Sequence, residues 1–410
     1  MAKPELLAPA KNLERLKVVI TYGADAVYVG GERYGLRARA DNFTLADLAQ
    51  GVAFAHRHSA KVYVALNAFL HDSDLAGLGD YCRDLQALGV DAVIVSDLGV
   101  IREIQQATSL AIHLSTQASC LNSGAANVWR RAGVQRLIVG RELSIAEAGA
   151  IQRQTGLEVE MFTHGAMCMA YSGHCTISNF TAGRDSNRGG CIQSCRLPYF
   201  VGESASPAPI PFMSSRDLWG IDQIGAFVEH GICSLKIEGR MKSSFYGAIA
   251  SRVYRRLIDA HANGLLDAAL LDWAAAELRS VPHRDYFTGS LATPAGPDSV
   301  FSQAAGINIG THQYLGMVME TTGDAIVVHL VEPLALDDEI EIVPPQGDPV
   351  RWRVSQMQSV IGEPQSRARQ ESIVRFPKDK IPGGGVAIAP FQVIRQAIPA
   401  EARTEVGAIA

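Results

Sequence analysis

The sequence predicts an α/β chain: a TIM-like (β/α)8 barrel over residues 1–300 with a cysteine-rich insertion at 166–215, then a small antiparallel β-barrel domain over 301–400. Three observations predict it. Four times a helix-like stretch closes on a glycine and runs straight into an apolar strand: Gly23 before AVYVG, Gly89 before AVIVS, Gly133 before RLIVG and Gly231 before SLKIEG. Counting every comparable apolar run gives eight. Beyond about residue 300 helical periodicity stops and short alternating strands begin, as in YLGMVME, AIVVHLV, DEIEIVP, VRWRV and GGVAIAP. Glycine ends a helix cheaply because it enters the left-handed cap conformation, and a β-branched run behind it suits a strand buried on both faces. An open doubly wound sheet is the competing arrangement, since a strand count does not prove closure.

In order, the strands fall at 4–9, 25–31, 61–67, 92–97, 111–117, 136–142, 158–165 and 234–240, with amphipathic stretches between most of them. Barrel enzymes place their chemistry where strands end at the carboxyl face. Those ends are polar here: Asn67, Asp97, His113 to Gln117, Arg141 and Glu142, His164, and Glu238 to Arg240. Each alone reads equally well as a helix cap or a paired rim residue; their accumulation on one face is the signal. The candidate catalytic residues are therefore Gln117, Arg141, Glu142, His164, Glu238, Arg240 and Lys242. A structural role is the plain alternative for His164, as is mutual pairing for Glu238 and Arg240, which a two-residue period points the same way.

After strand seven, where a short loop is usual, almost fifty residues begin HGAMCMAYSGHCTISNFTAGRDSNRGGCIQSCRLPYF. Four of the seven cysteines, Cys168, Cys175, Cys191 and Cys195, fall within 28 residues, separated by six, fifteen and three others. Clustered thiolates repel unless a cation or cluster neutralises them, and soft sulfur selects zinc or iron–sulfur centres. Structural zinc sites use two short hooks, whereas only Cys191–Cys195 is short, so the spacing suits an iron–sulfur cluster better. The CxxxCxxC of radical S-adenosylmethionine enzymes is not matched. Four reduced, merely packed cysteines are the bland alternative. Cys82 falls in a helix interior, Cys233 opens strand eight at the opposite pole, and Cys120 is a reserve ligand. Arg184, Arg188 and Arg196 accompany the cysteines. Their guanidinium forks suit a dicarboxylate or an RNA phosphate, with pairing to Asp185, Glu142 or Glu238 as the alternative.

A net charge of −5, 47% hydrophobic and 19% charged residues describe an ordinary soluble chain, with no bulk charge advertising nucleic acid. The absence of a leader and of a long apolar run makes a cytoplasmic, non-membrane location the expectation. In the terminal domain Arg351, Arg353, Arg367, Arg369, Arg375, Lys378 and Lys380 outnumber Glu363, Glu371 and Asp379. That stretch either meets an RNA backbone or is a solvated strand face neutralised by the acidic segment Glu332 to Glu341. His56-Arg57-His58 lacks the HExxH of a zinc protease, and no GxSxG elbow is present.

The cysteine run, SSRDL at 214–218, SLKIEGRMKS at 234–243, ELLAPAKN, AVYVGG and HLSTQASCLN together resemble the collagenase-like peptidase family over nearly the whole chain. Length and terminal β-domain are most similar to members that hydroxylate tRNA uridine. The resemblance implies an enzyme that forms 5-hydroxyuridine at the wobble position, with prephenate as co-substrate and a 4Fe–4S cluster on Cys168, Cys175, Cys191 and Cys195. It also implies tRNA as partner, alongside a paralogous family member as a possible second subunit. Ribosomal RNA or ubiquinone as acceptor, peptide hydrolysis, and a zinc-stapled scaffold without activity are the alternatives.

Overall fold

The computed structural model describes residues 3–36, 42–200, 209, 211–293, 310–382 and 388–405. The predicted domain boundary at 300/301 and part of the run GGVAIAP lie outside the described residues. Seven parallel strands follow one another around the barrel: β1 (Glu5–Pro9), β2 (Ala26–Gly30), β3 (Lys61–Leu66), β4 (Ala92–Val95), β5 (Ala111–Leu114), β6 (Arg136–Ile138) and β7 (Glu158–Ala166). Between β7 and β9 (Ser234–Ile237) lies β8 (Asp217–Trp219). Strand β9 closes the circle, because Leu235 pairs with Leu6 of β1 on one side and with Met161 of β7 on the other. All eight predicted strands are barrel strands, and the open-sheet alternative is excluded.

The local reasons match the sequence. All five residues of β2 are buried, as a parallel strand covered by helices requires. The four repeat glycines, Gly23, Gly89, Gly133 and Gly231, all have positive φ, between +72° and +98°. Thr44 with Asp47 and Ser144 with Glu147 form capping boxes that start the helices Leu45–Arg57 and Ile145–Thr155. Some predicted strand ends become caps instead. The Asp97 side chain accepts from Val100 N at the start of the helix Leu98–Ala107, and Ser115 caps the turn Thr116–Ala118.

Two strands are additions to the barrel. At its lip β8 runs antiparallel to the end of β7, with Ala166 opposite Asp217, and β10 (Tyr286–Phe287) lies parallel beside β8. The insertion therefore leaves and re-enters the fold at one paired point. Beyond it, an eight-stranded antiparallel sheet curls into a half-barrel, in the order Val350–Arg353, Glu339–Val343, Val393–Ala397, His312–Thr321, Ala325–Leu330, Ser372–Pro377, Met357–Ser359 and Pro364–Gln365. Its own core centres on Val318, Ile326, Val328, Ile342, Trp352, Phe376 and Ile394. It is bolted to the barrel by buried ions: Arg395 bonds Glu277 at 3.0 Å and Glu341 at 2.7 Å, while Arg252 bonds Glu277 at 3.0 Å. Tyr22 adds its hydroxyl, which accepts from Val393 N at 2.9 Å and donates to Val343 O. Among the described residues no helix is long and apolar enough to cross a membrane.

Candidate active site

The carboxyl ends of the barrel strands open into a cavity of about 970 Å³, its mouth included. Strand ends supply the walls and floor: Tyr28 from β2, Asn67 after β3, Ser115 to Gln117 after β5, Arg141 after β6, Phe162 from β7, and Lys236, Glu238 and Arg240 from β9 and its extension. The insertion supplies the roof through Cys168, Tyr171 to Gly173, Cys175, Ser186, Asn187 and Cys191. It is seated by Thr116 Oγ1, which donates to Ser172 Oγ at 3.1 Å, and by Ser119 Oγ, which bonds Ser172 O. Next to this contact Gly173 has φ +79°, and a Cβ there would meet Gln117 O at 2.0 Å, so only glycine allows the approach.

The four insertion thiols are free, with Cys168 exposed and Cys175, Cys191 and Cys195 half-buried. Burial pushes the Cys195 thiol up, Arg196 opposes this, and Cys168, Cys191 and Cys175 add to the rise, so the other three lie within electrostatic reach of Cys195. Asn187 Nδ2 holds Cys175 O at 3.0 Å. The other cysteines are elsewhere. Cys233 Sγ bonds Val159 O at 3.2 Å at the amino pole, its thiol pushed up to about 12 by burial. Cys120 is buried beside Asn122 and off the cavity wall, and Cys82 is packed in the core.

Charge on the wall is mostly positive. Arg141 stacks on Phe162, its guanidinium carbon 4.1 Å from the ring centre, with a buried Nε that has no hydrogen-bond partner and no ion pair among the described residues. Lys236 donates to Glu160 Oε1 at 2.8 Å and lies 4.3 Å from the Tyr28 ring centre. Glu238 accepts from the Tyr28 hydroxyl at 3.1 Å. Gln117, Arg141, Glu238 and Arg240 thus share the cavity with three of the cysteines.

The remaining sequence candidates lie off its wall. Glu142 keeps one carboxylate oxygen buried and unpartnered behind Gly140. His164 has no exposed surface and sits among the rings of Tyr246, Tyr254 and Tyr286. The cause is a register shift between Phe162 and His164 in the β7–β9 ladder, which breaks the inward alternation and turns His164 out of the barrel. Lys242 serves the returning chain, bonding Pro282 O at 3.3 Å and facing Asp217 at 3.9 Å. Arg188 is spent on Phe69 O at 2.6 Å and Asp74 at 2.7 Å. Arg196 ties the two ends of the insertion together through Met167 O at 2.6 Å, Ser214 Oγ at 3.1 Å and Ser215 O. Arg184 stands on the insertion without reaching the cavity wall. Sequence reasoning missed Tyr28, Phe162 and Lys236, although the two-residue period that picked Glu238 runs back to Lys236.

Residues 11–299 match the sequence model of Peptidase family U32. The chain belongs to this family. Within and around it, the chain is 39% identical over 392 residues to the "tRNA hydroxylation protein P1" of Bacillus subtilis, covering 92% of each chain. It is 33% identical over 419 residues to the "tRNA hydroxylation protein P" of Escherichia coli, covering 88% of this chain and 91% of that one. The "23S rRNA 5-hydroxycytidine C2501 synthase" of the same bacterium is 34% identical over 351 residues, covering 83% of this chain and 52% of the other. The family's peptidase name finds little in the cavity: among the described residues no histidine lines it to activate its serines or cysteines.

Proposed function

We propose that this protein is an iron–sulfur-dependent tRNA hydroxylase that forms 5-hydroxyuridine at the wobble position with prephenate as co-substrate. The observation that carries the reading is a roof holding three of the insertion's four free thiols, Cys168, Cys175 and Cys191, over a cation-lined cavity, taken with relatives of near-equal length named for tRNA hydroxylation. What supports a cluster is the chemistry of the donor set, four free thiols on one excursion, three of them on the cavity wall. Among the described residues no three His, Cys, Asp or Glu side chains converge as a single metal ion would require. A cluster takes its thiolates on different irons and accepts wider spacing than tetrahedral zinc. Cys168, Cys175, Cys191 and Cys195 would hold it, and once bound it supplies one-electron redox chemistry beside the cavity.

The chain's own residues do the rest. Arg141, set over Phe162 and without an ion pair among the described residues, binds a carboxylate of the co-substrate in bidentate fashion. Glu238, oriented by the Tyr28 hydroxyl, is placed to take a proton from the reacting base. A uridine reaches this depth only when turned out of its stack, and the aromatic side chains of Tyr28, Phe162 and Tyr171 offer it surfaces. Mass spectrometry of nucleosides from cells with and without the gene tests acceptor and reaction together: 5-hydroxyuridine and its derivatives are expected to vanish from tRNA. The likeness to the rRNA synthase favours a second reading, for which the loss would instead be of 5-hydroxycytidine from 23S rRNA. Peptidase activity would be supported only by gelatin digestion by the pure protein.

A further inference from the structure

A chain of charged side chains runs up the inside of the barrel, where such folds ordinarily stack apolar layers. It starts at Glu5, which accepts from Arg136 at 2.6 Å, from the Tyr63 hydroxyl at 2.7 Å and from Ser234 Oγ at 2.9 Å. Arg136 also reaches Glu158 at 2.8 Å and Glu160 at 3.4 Å. Glu160, with no exposed surface, accepts in turn from Lys236 at 2.8 Å. Of these residues only Lys236 lines the cavity. Replacing buried ions by apolar groups of similar volume is often neutral or stabilising, so stability alone does not account for the chain.

Lys236 has three N–H donors and one hydrogen-bond partner among the described residues, Glu160. Its ammonium lies 5.7 Å from the centre of the Phe162 ring, which carries Arg141 at 4.1 Å. Two cations thus flank one ring on the cavity wall. One is a fork with no ion pair among the described residues; the other is a point charge held from below.

We propose that Lys236 is a ligand-binding residue that fixes the second carboxylate of an organic dianion whose first carboxylate sits on Arg141. Glu160, braced by Arg136 and Glu5, is the positioning residue that keeps the ammonium at the cavity floor. This rests on the reading of the cavity as the site of an anionic co-substrate.

The test is titration calorimetry of the purified cluster-loaded protein with prephenate, malonate, glutarate and inorganic phosphate. Lys236→Met is expected to weaken dicarboxylate binding roughly ten- to a hundred-fold, the usual worth of a charged hydrogen bond, and to lower the melting temperature, because buried Glu160 is left with Arg136 at 3.4 Å. Glu160→Gln is expected to raise KM for the dianion with kcat largely kept. The apolar pair Lys236→Met with Glu160→Leu is expected to fold and to lose binding. Binding by Lys236→Met, or by that folded pair, as tight as in the unaltered protein overturns the proposal, as does loss of folding in both. Binding of malonate or glutarate without prephenate removes prephenate from the functional reading and leaves the role of Lys236 standing. An unaltered protein that binds none of the four anions overturns both.

Discussion

His164 shows how one ladder irregularity redirects a side chain that alternation would have aimed into the cavity. Among the described residues neither ring nitrogen has a hydrogen-bond partner of normal geometry, and burial pulls the imidazole down to about 3. Above pH 6.5, its ordinary value, the ring is neutral in folded and unfolded chains alike. Below that the unfolded chain takes up the proton first, so stability present at neutral pH is lost progressively as the pH falls from 6.5 toward 3. His164→Phe should fold, fill the space among the three tyrosine rings and flatten the fall of melting temperature between pH 6.5 and 4. A variant as acid-sensitive as the parent would show that another group carries the effect. The same residue marks what the sequence reveals of the site. Arg141, Glu238, Arg240 and Gln117 were legible because strand ends in a closed barrel converge. His164 was misplaced because a bulge leaves no mark in residue types, and Lys236 was passed over because only strand ends were taken as candidates and it lies two residues before Glu238.

At the level of elements, the eight barrel strands were legible because glycine caps and doubly buried apolar runs are local signals. Strands β8 and β10 were not, since each is only two or three residues long and exists through pairing with distant segments. Arg196 joins the two ends of the insertion through Met167 O, Ser214 Oγ and Ser215 O, so this arginine beside a cysteine is occupied with the fold rather than with a ligand. Arg196→Ala should destabilise by roughly 1.5–3 kcal/mol, the range for hydrogen bonds made by a charged group. Denaturant titration gives that figure, and limited proteolysis should show faster cutting within 166–215; unchanged cutting would mean that the seat on Ser172 and Gly173 suffices.

Across the whole molecule, the basic stretch of the terminal domain turns out to be neutralised in part. Register sets Glu341 opposite Arg351 and Glu339 opposite Arg353, and both are ion pairs, while Arg375 meets Asp324. Glu339 and Glu341 of the acidic segment thus neutralise the strand Val350–Arg353, and composition alone had no means of knowing the register. The domain is tied to the barrel through Glu277, shared by two arginines that are each 2% exposed. Glu277→Ala leaves Arg252 without its carboxylate and should cost roughly 3–5 kcal/mol, read as a lower denaturation midpoint; a shift within error would sink the view that this joint is structural. The direct pairing of Ala166 with Asp217 has a different consequence. Because the excursion begins and ends at a single doorway, it can be rewritten in length and content without disturbing the staves around it. The fold thus works as a chassis with an exchangeable cassette, and a graft between relatives that keeps this doorway should transfer the lid whole.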